Sequence, residues 1–193
     1  LPNSKRSVFA WGPAGAWFGL AKFTGTVQTE GGETLNIDGL NEECPDNRIT
    51  LNSVDAGLSL TKAPSTTLVL KPDVATLTPS TQFSATVQFR TSDATSVPVQ
   101  PGQLTLVARG EKVKQFGTIK NGEKLTLKLQ TTGFDWEKVD QAVGGGPTLV
   151  KDGKMAVDAD DQGFNFDFYG KRHPRSAVGQ TQDGDILFVV LDG

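Results

Sequence analysis

Short alternating runs of apolar and polar residues, cut by glycine-centred dipeptides, set the strongest limit on what this chain can form. Asn121-Gly122, Asp152-Gly153 and Asp183-Gly184 each stand between two such runs. Asn or Asp followed by Gly tolerates the positive φ of a two-residue type I′ turn, so each dipeptide predicts a hairpin. The flanking runs are Leu104 to Ala108 and Lys124 to Gln130, then Thr148 to Val150 and Lys154 to Val157, then Ala177 to Thr181 and Ile186 to Leu191. In Gln82 to Arg90, Phe83, Ala85, Val87 and Phe89 alternate with polar residues, the period of a half-buried strand. Thr34 to Ile37 and Arg48 to Leu51 read as shorter strands around a polar loop. The 22 glycines and 10 prolines in 193 residues fit a chain of many turns.

Ile186 to Leu191 is apolar throughout, which predicts a central strand buried on both faces. One segment reads as a helix: Asp135 as cap, Trp136, Val139 and Val143 on one face, and Gly144-Gly145-Gly146 as the stop. The expected class is α+β, a strand-dominated mixed sheet with few helices. Residues 1–193 are expected to form a single domain. The Ser/Thr/Pro-rich stretch from Leu58 to Pro101 reads as an inserted hairpin or small subdomain.

The net charge of −3 and pI near 5.2 give no basic excess, which argues against a nucleic-acid partner. The longest apolar run, six residues, is far too short for a transmembrane segment. The chain opens on Leu1, not methionine, so a missing leader says nothing of compartment. Cys44 is the single cysteine and excludes an internal disulfide. Its neighbours Glu42, Glu43 and Asp46 disfavour a thiolate, so a catalytic thiol is not expected.

Three places could carry chemistry. Gly144 to Gly146 let backbone N–H groups turn toward a phosphate or a closely approached sugar, or else simply end the helix. Lys171-Arg172-His173-Pro174-Arg175 is the most basic cluster. Two guanidiniums can grip a phosphate and His173 can add a donor or a proton; the plain alternative is a solvated loop. Asp192 ends the apolar strand, where a carboxylate is held at a sheet rim or merely starts a turn. The aromatics Phe9, Trp11, Trp17, Phe18 and Phe23 could stack on sugars; filling a core or covering a sheet edge is the favoured reading. No cofactor is expected beyond a weak calcium site, since Asp158, Asp160, Gln162 and Gly163 imitate half a calcium loop but put Tyr169 where a glutamate is needed.

These motifs together resemble a known family. Ile37-Asp38-Gly39-Leu40-Asn41, then Gln141 to Pro147, then Leu149-Val150 with Asp152-Gly153, then His173-Pro174-Arg175-Ser176-Ala177-Val178-Gly179, then Asp183-Gly184, and finally Val189 to Gly193 are similar, in order, to the phosphodiester glycosidase family. The likeness runs from about Leu35 to Gly193 and fits less well over Leu58 to Pro101. Members of that family cleave sugars from phosphodiesters, and bacterial relatives are associated with exopolysaccharide and the cell envelope. The resemblance thus implies a glycan or sugar-phosphate substrate and an extracellular or envelope location. It implies Arg175 and His173 on the phosphate, Asp192 as the carboxylate, and Gly144, Gly145, Gly146, Arg172 and Asn41 around the substrate. The family usually has Pro-Arg-Thr-Ala where this chain has Pro-Arg-Ser-Ala. It also carries a later Asn-Leu-Asp-Gly-Gly-Gly-Ser motif that would follow Gly193, in the same chain or on another chain completing the domain. Two other functions stay open: a non-catalytic envelope module that binds glycans, and a structural β-rich domain that takes a strand from a neighbour.

Overall fold

The computed structural model describes residues 5–157, 159, 162, 164 and 166–193, so Asp158, Asp160 and Gly163 of the calcium-loop reading lie outside the described residues. These residues form two compact units: Lys22–Thr132, and Lys5–Ala21 with Gly133–Gly193. The strands in chain order begin with β1 (Lys5–Gly12), β2 (Gly15–Gln28), β3 (Thr34–Ile37), β4 (Gly39–Leu40) and β5 (Ile49–Asn52). Next come β6 (Leu58–Pro72), β7 (Ser80–Pro98), β8 (Leu104–Ala108) and β9 (Lys124–Thr132). The last five are β10 (Gln141–Gly145), β11 (Val150–Lys151), β12 (Lys154–Met155), β13 (Arg175–Gln180) and β14 (Ile186–Leu191). The one α-helix among the described residues, α1, spans only Phe166–Tyr169. The fold is therefore α+β with strands dominating and few helices.

In the unit Lys22–Thr132 the strand order is β2-β9-β7-β6-β8-β5-β4, with β3 also on β2. All these pairs are antiparallel except β4 with β5, so the sheet is mixed. Its first and last residues, Lys22 and Thr132, face each other across the β2–β9 ladder. The Ser/Thr/Pro-rich stretch supplies β6 and β7, two of the middle strands of this sheet. Alternation sends Phe83, Ala85 and Val87 of β7 and Leu125, Leu127 and Leu129 of β9 into one core with Leu68, Leu70, Leu104 and Leu106. Phe116, from the 3-10 turn Gly110–Phe116, is fully buried there, a contribution of about 1.5–3 kcal/mol.

Asn121-Gly122 does not close a hairpin between β8 and β9. β8 pairs with β5 and β6, whereas β9 pairs with β2 and β7. Only Gly122 of the dipeptide has positive φ, at 86°, and Glu123 N–H donates to the Lys120 carbonyl at 3.1 Å. That is the geometry of a type II turn, which leaves the strands unpaired.

In the second unit β10, β1 and β2 form a ribbon, with Phe9 facing Val143 and Ser7 facing Gly145. The helix expected over Trp136 to Val143 is absent. Trp136–Lys138 is a single 3-10 turn, and Gln141–Gly145 is strand β10. Spacing of Trp136 and Val139 imitates a helix face because both pack on Val8, Ala10 and Ala21, one from the turn and one just after it. The backbone of Gln141–Gly145 then finds its hydrogen bonds on β1 instead of within itself.

The two remaining hairpins form, although at Asp183-Gly184 only Gly184 has positive φ, so the turn there is not type I′. Val150 faces Met155 around Asp152 and Gly153, whose φ values of 51° and 70° suit a type I′ turn. β13 and β14 pair along their whole length, Arg175 with Leu191 through Gln180 with Ile186. β14 is not buried on both faces, however. Phe188 is 78% and Val190 80% exposed, because β13 is its one paired neighbour among the described residues.

Candidate functional site

The β13–β14 ladder decides where the basic loop lies. With Arg175 opposite Leu191, the residues just beyond the ladder, His173-Pro174 and Asp192-Gly193, run side by side. A Cβ on Gly193 would stand 2.7 Å from Pro174 Cδ and 2.8 Å from the His173 carbonyl carbon, so the two segments are in close contact. Arg172, His173 and Asp192 are exposed, and Arg175 is half-buried. The Arg175 guanidinium donates to the Pro174 carbonyl at 3.3 Å. Asp192 Oδ1 accepts from Gly193 N–H at 3.0 Å. Lys171 is taken by Asp167, one turn earlier, at 2.6 Å. The backbones of the basic loop and of Asp192-Gly193 therefore lie side by side at one end of one hairpin, with Arg175 and Asp192 at successive positions that point to opposite faces of the ladder.

The three glycines lie on and beside β10. Gly144 and Gly145 pair with Val8 and Ser7, and a Cβ on either would meet open space. Gly146 is held differently. Its φ is +138°, the bond to Pro147 is cis, and a Cβ would press on the Phe164 ring at 2.7 Å. Gln162, buried, fixes this bend: its Oε1 accepts from Thr148 N–H at 3.1 Å and from the Ser7 hydroxyl. The amide that the calcium reading used thus points into this network.

Asn41 belongs to the unit Lys22–Thr132, at positive φ (51°) just after β4. Its Oδ1 accepts from Ser53 N–H at 2.7 Å and its Nδ2 donates to Ser53 Oγ at 3.0 Å. Both ends of the amide are engaged in joining β4 to the loop after β5.

Cys44 is buried, with its thiol directed at the carbonyls of Arg48 (3.4 Å) and Val107 (3.5 Å). Burial pushes its pKa up to about 11, so it stays a thiol near neutrality. Desolvation is the largest cause, and the carboxylate that adds to it is Asp38, not Glu42, Glu43 or Asp46. Among the described residues no cluster of His, Cys, Asp and Glu is arranged to hold a metal ion.

The aromatic segment divides by strand alternation. Phe9 is buried and stacks on Trp11 (centroids 5.1 Å apart) and Phe18 (4.6 Å), while Phe23 joins the core of the other unit. Trp17 instead lines a recess of about 390 Å³ with Phe134, Asp135 and Lys138. Sequence reading missed Phe134; the signal was Gly133-Phe134-Asp135-Trp136, two aromatics closing a strand. A second groove, of about 450 Å³, in the first unit is lined by Thr24, Thr26, Asn36, Lys128 and Gln130.

The fold is a strand-dominated α+β sheet with a basic loop running beside the end of its last strand. A sequence model of the phosphodiester glycosidase family matches residues 65–193, more than half of the chain, and the chain belongs to that family. No curated protein matches it significantly. Among solved structures, a hypothetical protein from Synechocystis superimposes with a TM-score of 0.70 at 20% identity, over 96% of this chain and 34% of the other. A Burkholderia pseudomallei K96243 protein described as a candidate for export superimposes with a TM-score of 0.62 at 16% identity, over 100% of this chain and 46% of the other. These identities establish a shared fold. The chain spans a third to a half of the length of both proteins.

Proposed function

We propose that the chain takes part in hydrolysing the bond between a sugar and a phosphodiester-linked phosphate on extracellular or envelope glycans such as exopolysaccharide. Family membership supports the reaction class. The observation that supports the site is the β13–β14 register, which sets His173-Pro174 against Asp192-Gly193 with Arg175 one rung away, opposite Leu191. An export description for one structural neighbour supports the location, and no described helix is long and apolar enough to cross a membrane.

The chemistry follows from the leaving group. A phosphate monoester has a second pKa of about 6 and departs without a strong general acid. The site then needs donors on the phosphate and a carboxylate near the anomeric carbon. Arg175 would grip the phosphate through paired N–H donors, with Arg172 adding charge and His173 a donor or a proton. Asp192 would act as base or stabilise positive charge growing on the sugar ring. Gly144 and Gly145 leave room for a sugar to approach the backbone. The test is release of sugar from a glycosyl phosphodiester by the full-length protein. Arg175→Ala and Asp192→Asn should each lower kcat/KM by at least about 100-fold; wild-type rates in both would remove these residues from the site.

A second reading rests on β14. Five consecutive exposed apolar residues, Leu187 to Leu191, fit a surface covered by a strand from a neighbouring chain. Replacing Phe188 and Val190 by Ser should then shift the sedimentation of this chain toward monomer. A wild-type chain that sediments as a monomer at micromolar concentration would dismiss the reading.

A further inference from the structure

The recess around Trp17 takes no part in the chemistry proposed above, yet it is built with care. At Gly133, φ is +110° and a Cβ would overlap the Leu20 carbonyl oxygen, so only glycine lets the chain turn there and swing Phe134 back over β2. The strand leaves space for it: at Gly19, a Cβ would lie 3.2 Å from Phe134 Cζ. Trp136 closes on Phe134 from the other side, with ring centroids 5.1 Å apart and planes at 48°. The phenyl ring is thus held in place before any ligand arrives. At the mouth, Lys138 Nζ and Asp135 Oδ2 lie 2.8 Å apart, both more than half exposed. An exposed pair of this kind contributes little to stability and exchanges partners cheaply.

We infer that this recess is a subsite for one pyranose ring of a glycan. Trp17 and Phe134 are the apolar walls that the C–H face of a sugar lies against, and Asp135 and Lys138 offer an acceptor and a donor to neighbouring hydroxyls. Its volume of about 390 Å³ falls in the range of small-molecule sites. The class of ligand rests on the glycosidase reading; the geometry of the recess does not.

The experiment is a titration of the full chain with methyl α-glucopyranoside, methyl α-mannopyranoside and N-acetylglucosamine, followed by tryptophan emission. At least one sugar should give a saturable change. Trp17→Phe should hold affinity within about threefold while abolishing that change, since the wall remains and the reporter is lost. Phe134→Ala should weaken binding about tenfold, read by calorimetry. Lys138→Ala, on the exposed rim where an ion pair adds little to stability, should weaken it several-fold. No saturable binding of any of the three sugars, or unaltered affinity in both Phe134→Ala and Lys138→Ala, overturns the subsite. The two proposals fail separately. Sugar binding that survives Arg175→Ala supports a subsite independent of the phosphate grip. Intact binding by a full-length protein that never releases sugar from a phosphodiester refutes the glycosidase reading alone.

Discussion

Three glycine-to-alanine substitutions in one unit separate backbone strain from steric overlap. At Gly144, φ is not positive and a Cβ would meet nothing within 4 Å, so Gly144→Ala should change stability by less than about 0.5 kcal/mol. At Gly153 the surroundings are equally open but φ is +70°, so alanine there carries only the conformational cost, about 1–2 kcal/mol. Gly133 combines φ of +110° with overlap on the Leu20 carbonyl, whose carbon would also lie 3.0 Å away. Strain of about 1–3 kcal/mol and displacement of β2 at a further ~1–3 kcal/mol add to roughly 2–6 kcal/mol. For a chain of this length that is a fall in Tm of about 4–24 °C. Thermal melts followed by circular dichroism at 222 nm and by tryptophan emission would rank the three variants. A Gly133→Ala protein that melts with Gly153→Ala would show that the Leu20 carbonyl yields freely, and the account of how Phe134 is aimed would fall with it. Gly144→Ala has a second use: if the open space at β10 admits a sugar, this variant keeps its Tm but loses turnover.

Cys44 offers a pH test. Its folded pKa of about 11 lies above the ordinary value of 9.0, so its contribution is fully present below pH 9 and is lost as pH rises through 11. About 2–3 kcal/mol should disappear over that window, and Cys44→Ala should flatten the loss; identical urea midpoints at pH 8 and 10.5 in the wild type would contradict it. Together with the Arg175 and Asp192 kinetics, the Phe188 and Val190 sedimentation and the Trp17 titration, this probes both units of the chain.

Much of the fold was legible because alternation and turn chemistry are local. Phe83, Ala85 and Val87 alternate because one face of β7 meets the core, and Asp152-Gly153 turns because both residues accept positive φ. The errors came where two local patterns share a spacing. Trp136, Val139 and Val143 stand three and four apart, as on a helix, yet the first two pack on Val8, Ala10 and Ala21 while Val143 is carried out on a strand. An unbroken apolar run such as Ile186 to Leu191 announces a strand, but not how many neighbours flank it. Asn121-Gly122 turned the chain, with the φ signs of another turn type. The candidate site was legible only in part. Pro174 next to Asp192 follows from the hairpin register, which Asp183-Gly184 foreshadows. Phe134 over Gly19 depends on contacts more than 100 residues apart, for which no sequence window carries a signal.

Lys22 and Thr132 sit on facing rungs of one ladder. A stretch of 111 residues that leaves and returns at a single point is closed on itself, and joining its ends takes only a short linker with little entropy to lose. That stretch could be lifted out, made circular, or expressed on its own, and the flanks Ala21 and Gly133 bridged in its absence. Each half could then be asked separately which one holds the sugar.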